Sequence, residues 1–289
     1  MKELIDRFIT EKDRQLISEV TNHTFNSLVD AVDDWTIFKT IDKHIPTKYD
    51  IKGMHLTRCL LSERIIDYKR SIMPPLHLSE YEEFINRGVI VFKNLSSPEA
   101  VQKFNVLIKY ALGDSSPNGE NYARGFAKNH GPDKKFIHPI QYTLHVDTFH
   151  PTYKSFKYMN DTQIPNGPFS YVIGSHKNTH EKLKFLYEVS NKRSEQILAG
   201  TLTKEKSWER WTPSMRLTTE KDNCTDSQEI NKCLEKYGFH GETLIVGNSG
   251  QVIVADTSGF HRRHPPQQDK ERYTERLCVA RNNPFEIQF

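Results

Sequence analysis

Cysteine is scarce in this chain of 289 residues. There are four, Cys59, Cys224, Cys233 and Cys278, and no two form a Cys-x-x-Cys pair. That pattern excludes a zinc knuckle and fits free thiols in a reducing compartment better than a disulfide frame. No run of about 18 apolar residues occurs, so no membrane-spanning helix is expected. The opening stretch, MKELIDRFITEKD, carries charges every few residues and lacks the apolar centre of a signal peptide. Charge of one sign is also in short supply. The 40 Lys and Arg are scattered against 37 Asp and Glu, for a net +3, so the concentrated basic stripe of a nucleic-acid binder is missing. Internal repeats and low-complexity tracts are absent. The expectation is a soluble cytoplasmic protein whose partner is a small molecule, neither a membrane nor a nucleic acid.

What is present divides the chain in two. Residues 1–77 read as a helical N-terminal extension packed on the core. Thr10 and Asp13 are spaced as a capping box, and Leu16, Val20, Leu28 and Val32 recur at helical spacing. The prolines of SIMPPLHLS mark a connector. Ser79 with Glu82 is expected to start a short helix that Gly88 ends, VIVFKNL follows as a strand, and Ser97-Pro98 opens a further helix. Residues 78–289 are expected to form the main domain. After residue 135 short strands dominate, at 140–147, 154–161, 169–173, 243–247, 251–255 and 272–281, with turn signals between them. Many short strands with such turns suggest a sandwich, barrel or jelly roll. The fold class is therefore mainly β with flanking helices (α+β), with a lid-like insertion at about 178–240. In that insertion THEKLKFLYEVSNK reads as a helix. SWERWTPSMRLTT offers Trp208, Arg210, Trp211 and Arg216 as contacts for an anionic or sugar-like substrate, or as packing for the insertion.

The chemistry concentrates in QYTLHVDTFHP, residues 141–151. On a strand, alternate side chains share a face, which would place Gln141, Thr143, His145 and Asp147 together. A lone His-x-Asp says little, since about one arises by chance in a chain of this make-up. A second region adds weight. GNSGQVIVADTSGFHRRHPP runs from an apolar strand through a turn of small residues to His261, with His264 as the nearby competitor. Two histidines and one carboxylate on one side of an ion make the facial triad of non-haem Fe(II) oxygenases, which leaves three adjacent coordination positions open. A structural zinc site would close its tetrahedron with a fourth ligand, usually cysteine, and no cysteine lies near either motif. The third element is ERYTERLCVARNN. Arg272 or Arg276 could clamp a carboxylate in two-pronged fashion; Arg272, eleven residues beyond His261 at the start of a strand, is the favoured one.

In this order, with NGPFSYVIGSHK between the two metal motifs and LSEYEEFINRGVIVF as the entry, residues 78–289 resemble the phytanoyl-CoA dioxygenase family of Fe(II)- and 2-oxoglutarate-dependent oxygenases. The resemblance implies a double-stranded β-helix (jelly-roll, cupin-like) core. It implies Fe(II) held by His145, Asp147 and His261, with Arg272 on the far carboxylate of 2-oxoglutarate and O2 as oxidant. The activity implied is oxidation, most simply hydroxylation, of a small molecule with release of succinate and CO2. Thr143 and Gln141 are candidates for touching the co-substrate, and His176 of GSHK reads as structural. Asp147 argues against the halogenating variant, in which a small residue makes room for halide. One departure from the family stands out: Arg263 occupies a place, two beyond the distal histidine, where a small residue is common. It points to an anionic substrate or to altered co-substrate binding. Two other classes compete: an oxygenase acting on a nucleic acid or protein, and a non-catalytic jelly-roll binding module.

Overall fold

The computed structural model describes residues 2–32, 48–114, 139–201, 215–216, 226–270, 272–280 and 283–285. Helix α1 (Lys2–Phe8) leads into α2 (Glu11–Thr21), which begins with the capping box read from the sequence. Thr10 Oγ1 accepts from the Asp13 amide, and the Asp13 carboxylate accepts from the Thr10 amide at 3.0 Å. Helices α3 (Phe25–Ala31) and α4 (Met54–Ser71) complete the N-terminal layer. These helices are no appendage. Ile17, Leu28, Leu60 and Leu61 lie in the same apolar cluster as Val146, Phe149 and Phe260. Truncating a leucine packed this way costs about 2–5 kcal/mol, because a cavity is left as well as lost burial.

Helix α5 (Ser79–Arg87) starts one residue earlier than expected. Leu78 holds the cap position without a side-chain bond, and the Ser79 hydroxyl turns to the Glu80 carboxylate instead. Gly88 ends it with φ of 76°, a backbone conformation that L side chains rarely adopt, and a Cβ there would sit 2.4 Å from both His176 and the Tyr171 hydroxyl. Strand β1 (Val89–Phe92) and helix α6 (Pro98–Ala111) follow, the latter capped by Ser97 with proline at its first turn. The chain then forms β2 (His145–Val146), β3 (Tyr153–Tyr158), β4 (Phe169–Tyr171), α7 (His180–Leu198), β5 (Met215–Arg216), α8 (Ser227–Lys236), β6 (Thr243–Ile245), β7 (Val252–Asp256), β8 (His261–Arg263) and β9 (Thr274–Ala280).

The strands form two sheets, ordered β1-β7-β3-β9 and β5-β2-β8-β4-β6, with every recorded pairing between strands antiparallel. From β6 onward the chain passes from one sheet to the other at every step, and it does so at β2, β3 and β4 as well. Period-2 alternation sorts the side chains. Val252 and Val254 of β7 pack outward with Phe84 of α5 and Phe104 of α6, while Ile253 and Ala255 pack inward with Tyr158, Phe169 and Tyr171. That inner cluster draws on both sheets and is the layer between them. Helix α7 occupies the stretch read as helical, and Trp208, Arg210 and Trp211 lie outside the described residues.

Residues 139–146 differ from expectation. The single strand over 140–147 is replaced by a 3-10 turn, Pro139–Tyr142, and the two-residue β2. Proline lacks an amide hydrogen and sets φ near the helical value, which favours a turn over a strand start. Gln141 is exposed on that turn, so alternation does not bring it to the face shared by His145.

Candidate metal centre

Strand pairing brings the two histidines together. His145 and His261 are directly opposed Cα partners between β2 and β8, and opposed residues of an antiparallel pair project to the same face. Their ring centroids are 4.5 Å apart. Strand β2 ends at Val146, and the Asp147 amide donates to the Thr257 carbonyl at 2.8 Å, which ties the carboxylate's backbone to the turn before His261. Asp147 Oδ2 then lies 3.4 Å from His261 Nε2, and Oδ1 lies 3.9 Å from His145 Nε2. The three residues offer ligand atoms all within 4.8 Å of one another. Adjacent ligands of an octahedral ion at metal distances of about 2.1 Å lie about 3 Å apart, so small side-chain movements suffice to close on one ion.

Both imidazoles are oriented from behind. His145 Nδ1 donates to the Thr143 carbonyl at 2.7 Å, and His261 Nδ1 donates to the Gly259 carbonyl at 2.9 Å. This fixes the tautomer and leaves both Nε2 lone pairs facing the centre, the usual support for a metal-bound imidazole. Burial, with His261 nearby, pushes the His145 pKa down to about 4 against the opposing pull of Asp147, so the ring is neutral and able to ligate. Burial alone would raise the Asp147 pKa, but His261, Lys154 and His145 together hold it well below the ordinary carboxylate value. Two imidazole nitrogens and one carboxylate oxygen on one side of a point fit a divalent ion that takes mixed N and O ligands.

The other candidates divide. Thr143 is buried, and its carbonyl is the group that orients His145. Arg272 is buried just before β9, with its guanidinium on the Tyr158 hydroxyl at the far end of the inner face of β3. Arg276 is the Cα partner of Phe156 on β9. Arg263 is buried and lies two places along β8 from His261, hence on the same face. His264 is bonded to the Pro265 carbonyl in the loop after β8 and stands outside the cluster. His176 bonds the Ile85 carbonyl at 3.0 Å, a structural contact as expected.

Two residues escaped the sequence reading. Lys154, on β3, sets its ammonium 2.5 Å from Asp147 Oδ2. In YKSFKY every other residue alternates without a clear apolar face, so nothing marked the lysine as inward. Asp256 closes β7 and organises the turn that delivers His261. Its Oδ1 accepts from the Ser258 amide (3.0 Å) and hydroxyl (2.7 Å) and from the Thr152 amide (3.3 Å). An aspartate followed by Thr-Ser-Gly is a turn signature that could have flagged it. Within this turn Gly259 is forced by contact: a Cβ would sit 2.1 Å from the Tyr171 hydroxyl, which itself donates to the Asp256 carbonyl.

No protein-family profile matches the sequence, and no curated protein does. Among the solved structures to which the chain is similar are the following three. One is HygX from Streptomyces hygroscopicus with nickel and 2-oxoglutarate bound, at 12% identity, 72% of this chain, 88% of that chain and a TM-score of 0.32. Another is EctD from S. alaskensis with 2-oxoglutarate and 5-hydroxyectoine, at 10%, 73%, 78% and 0.33. The third is the non-heme iron oxygenase OrfP in complex with Fe, at 14%, 94%, 92% and 0.26. At TM-scores of this size the chemistry has to be read from this chain's own residues.

Proposed function

We propose that this chain is an Fe(II)- and 2-oxoglutarate-dependent oxygenase of the phytanoyl-CoA dioxygenase type, acting on a small molecule. The observation that carries the reading is the triad: His145, Asp147 and His261 present two oriented Nε2 atoms and one carboxylate to a single point. The sheet orders support a double-stranded β-helix, since β2-β8-β4-β6 faces β9-β3-β7 with the chain crossing between sheets. Iron(II), 2-oxoglutarate and dioxygen together supply the oxidation: the keto acid loses CO2 to give succinate, which takes one oxygen atom, and the substrate receives the other.

The protein's part is placement. His145 and His261 hold the ion from opposed strands, and Asp147 closes the third ligand position from the end of β2. Arg272 binds the far carboxylate of the keto acid by its planar fork, seated on the Tyr158 hydroxyl. Phe156 and Phe169, with ring centroids 5.6 Å apart, keep water from the space between the sheets. Arg263, buried on the face of β8 that carries His261, favours an anionic substrate.

The test is direct. Anaerobic Fe(II) plus 2-oxoglutarate should give a weak visible charge-transfer band, and admission of air should give slow succinate release. Asp147→Ala should abolish both. A protein that shows neither band nor succinate is a binding module and not an oxygenase.

A further inference from the structure

Lys154 stands where an ammonium needs a reason. It is the second residue of β3, and alternation puts it on the same face as Phe156 and Tyr158. Phe156 packs on Phe169, and the Tyr158 hydroxyl accepts from the Phe169 amide at 3.1 Å, so that face looks into the space between the sheets. Its Cα partner on β7, Ala255, belongs to the inner cluster. A lysine turned inward is stable only when its charge is paired. The partner is Asp147 Oδ2 at 2.5 Å, with 23% of the lysine side chain and 15% of the aspartate side chain exposed. The same oxygen lies 3.4 Å from His261 Nε2. With an ion in the centre, one carboxylate would therefore serve two cations, the metal and the ammonium.

We propose that Lys154 is a positioning residue that couples the binding of the metal to the binding of an anionic co-substrate. With only the ion present, a dication and an ammonium would share one carboxylate, and their repulsion would weaken metal binding. A dianionic keto acid brought to the same place offsets that surplus charge and strengthens the pair. The site thus holds its ion loosely alone and firmly once the keto acid arrives. This inference rests on the metal-centre reading above.

The experiment titrates the metal-free full chain with Mn(II) under nitrogen and reads free Mn(II) by electron paramagnetic resonance, with and without saturating 2-oxoglutarate. In the wild-type protein the keto acid should tighten Mn(II) by about tenfold or more. Lys154→Gln should bind Mn(II) alone about tenfold more tightly than wild type and show a gain from the keto acid that is smaller than the wild type's by a similar factor. Lys154→Arg, which retains the charge, should behave as wild type. If Lys154→Gln does not fold, as judged by its melting curve, Lys154→Met carries the same expectation. Wild-type coupling in both neutral variants overturns the proposal and leaves the metal centre standing. Absence of Mn(II) binding in every protein overturns the metal centre and this proposal with it.

Discussion

Arg262 offers the sharpest test of how the site is held together. It sits between the two ligand-bearing regions, facing away from the metal, and its side chain is fully buried. Its Nε donates to Glu242 Oε2 at 2.7 Å, and a second guanidinium nitrogen meets the other carboxylate oxygen. The remaining donors reach the Tyr142 carbonyl at 3.1 Å and the Ser227 hydroxyl at 2.8 Å. One residue therefore ties β8, the turn before β2, helix α8 and the segment entering β6. Replacing it with methionine leaves the Glu242 carboxylate, 4% exposed, without its cation. Breaking a buried pair from one side costs about 3–5 kcal/mol, because the surviving charge stays buried. At about 2 °C or more per kcal/mol for a chain of this size, the melting temperature should fall by at least about 6 °C.

The pH dependence carries the sign. In the wild type, burial raises the Glu242 pKa, but bonds from Arg262, Ser170 and Ser227 outweigh it, so the folded value lies below the ordinary one. A depressed folded pKa contributes stability that is present above the unfolded value of about 4.3 and is lost as pH falls through the folded value. In Arg262→Met only the Ser170 and Ser227 hydroxyls still oppose burial, and the folded pKa should rise above the unfolded one. That variant should gain stability as pH is lowered from about 7 toward 5, while the wild type should not. The double variant Arg262→Met/Glu242→Leu removes both charges and should recover most of the loss, less about 1 kcal/mol for the Ser170 hydroxyl that loses its acceptor. Chemical denaturation of the three proteins at pH 5 and 7 checks this. A double variant no more stable than the single one, or a single variant that loses under 1 kcal/mol, would refute the reasoning.

Three further outcomes are expected. His261→Ala should abolish Mn(II) binding and His264→Ala should leave it within about twofold, because only the former lies in the cluster; the same resonance titration reads both. Gly259→Ala should destabilise by about 1–3 kcal/mol through overpacking against the Tyr171 hydroxyl, and Tyr171→Phe in the same chain should restore part of that loss in thermal denaturation. Cys59 is fully buried and its thiol is pushed up to about 12 by burial. It should resist iodoacetamide in the native protein and react after unfolding, as followed by peptide mass spectrometry.

The sequence made the triad legible because its elements are local. His145 and Asp147 sit two apart beside an apolar run, His261 follows a strand and a turn of small residues, and Arg272 stands just before the last strand. The helices were legible for the same reason: the Thr10–Asp13 box and Ser97-Pro98 act within one turn of their own residues. What escaped depends on contacts distant in sequence. Nothing near Lys154 says that Asp147 lies beside it, since that follows from β3 leaving the other sheet. Arg262 and Glu242 are 20 residues apart and meet only once β8 pairs with β4 and β4 with β6. Gln141 was misplaced because alternation was carried across Pro139–Tyr142, where the backbone turns.

That last point bears on why the metal site depends on side chains more than on the sheet. Strand β2 is two residues long, and its ladder with β8 holds a single Cα pair, His145 with His261. A one-residue slip in a strand reverses the face of every side chain, which would bury Val146 at the metal and turn His145 into the helical layer. That pair, with the two that β2 makes with the equally short β5, gives little to enforce the register against that. The enforcement comes from elsewhere: Val146 packed among the helices on one side, Asp147 bonded to Thr257 on the other, and the Tyr142 carbonyl fastened to Arg262 upstream. Each of these pins a residue within three places of His145 to an element fixed independently. Loss of the Arg262 link should therefore weaken metal binding as well as stability, although Arg262 touches no ligand atom. A variant that lost several kcal/mol of stability yet bound Mn(II) as the wild type does would show that β2 keeps its register without that link.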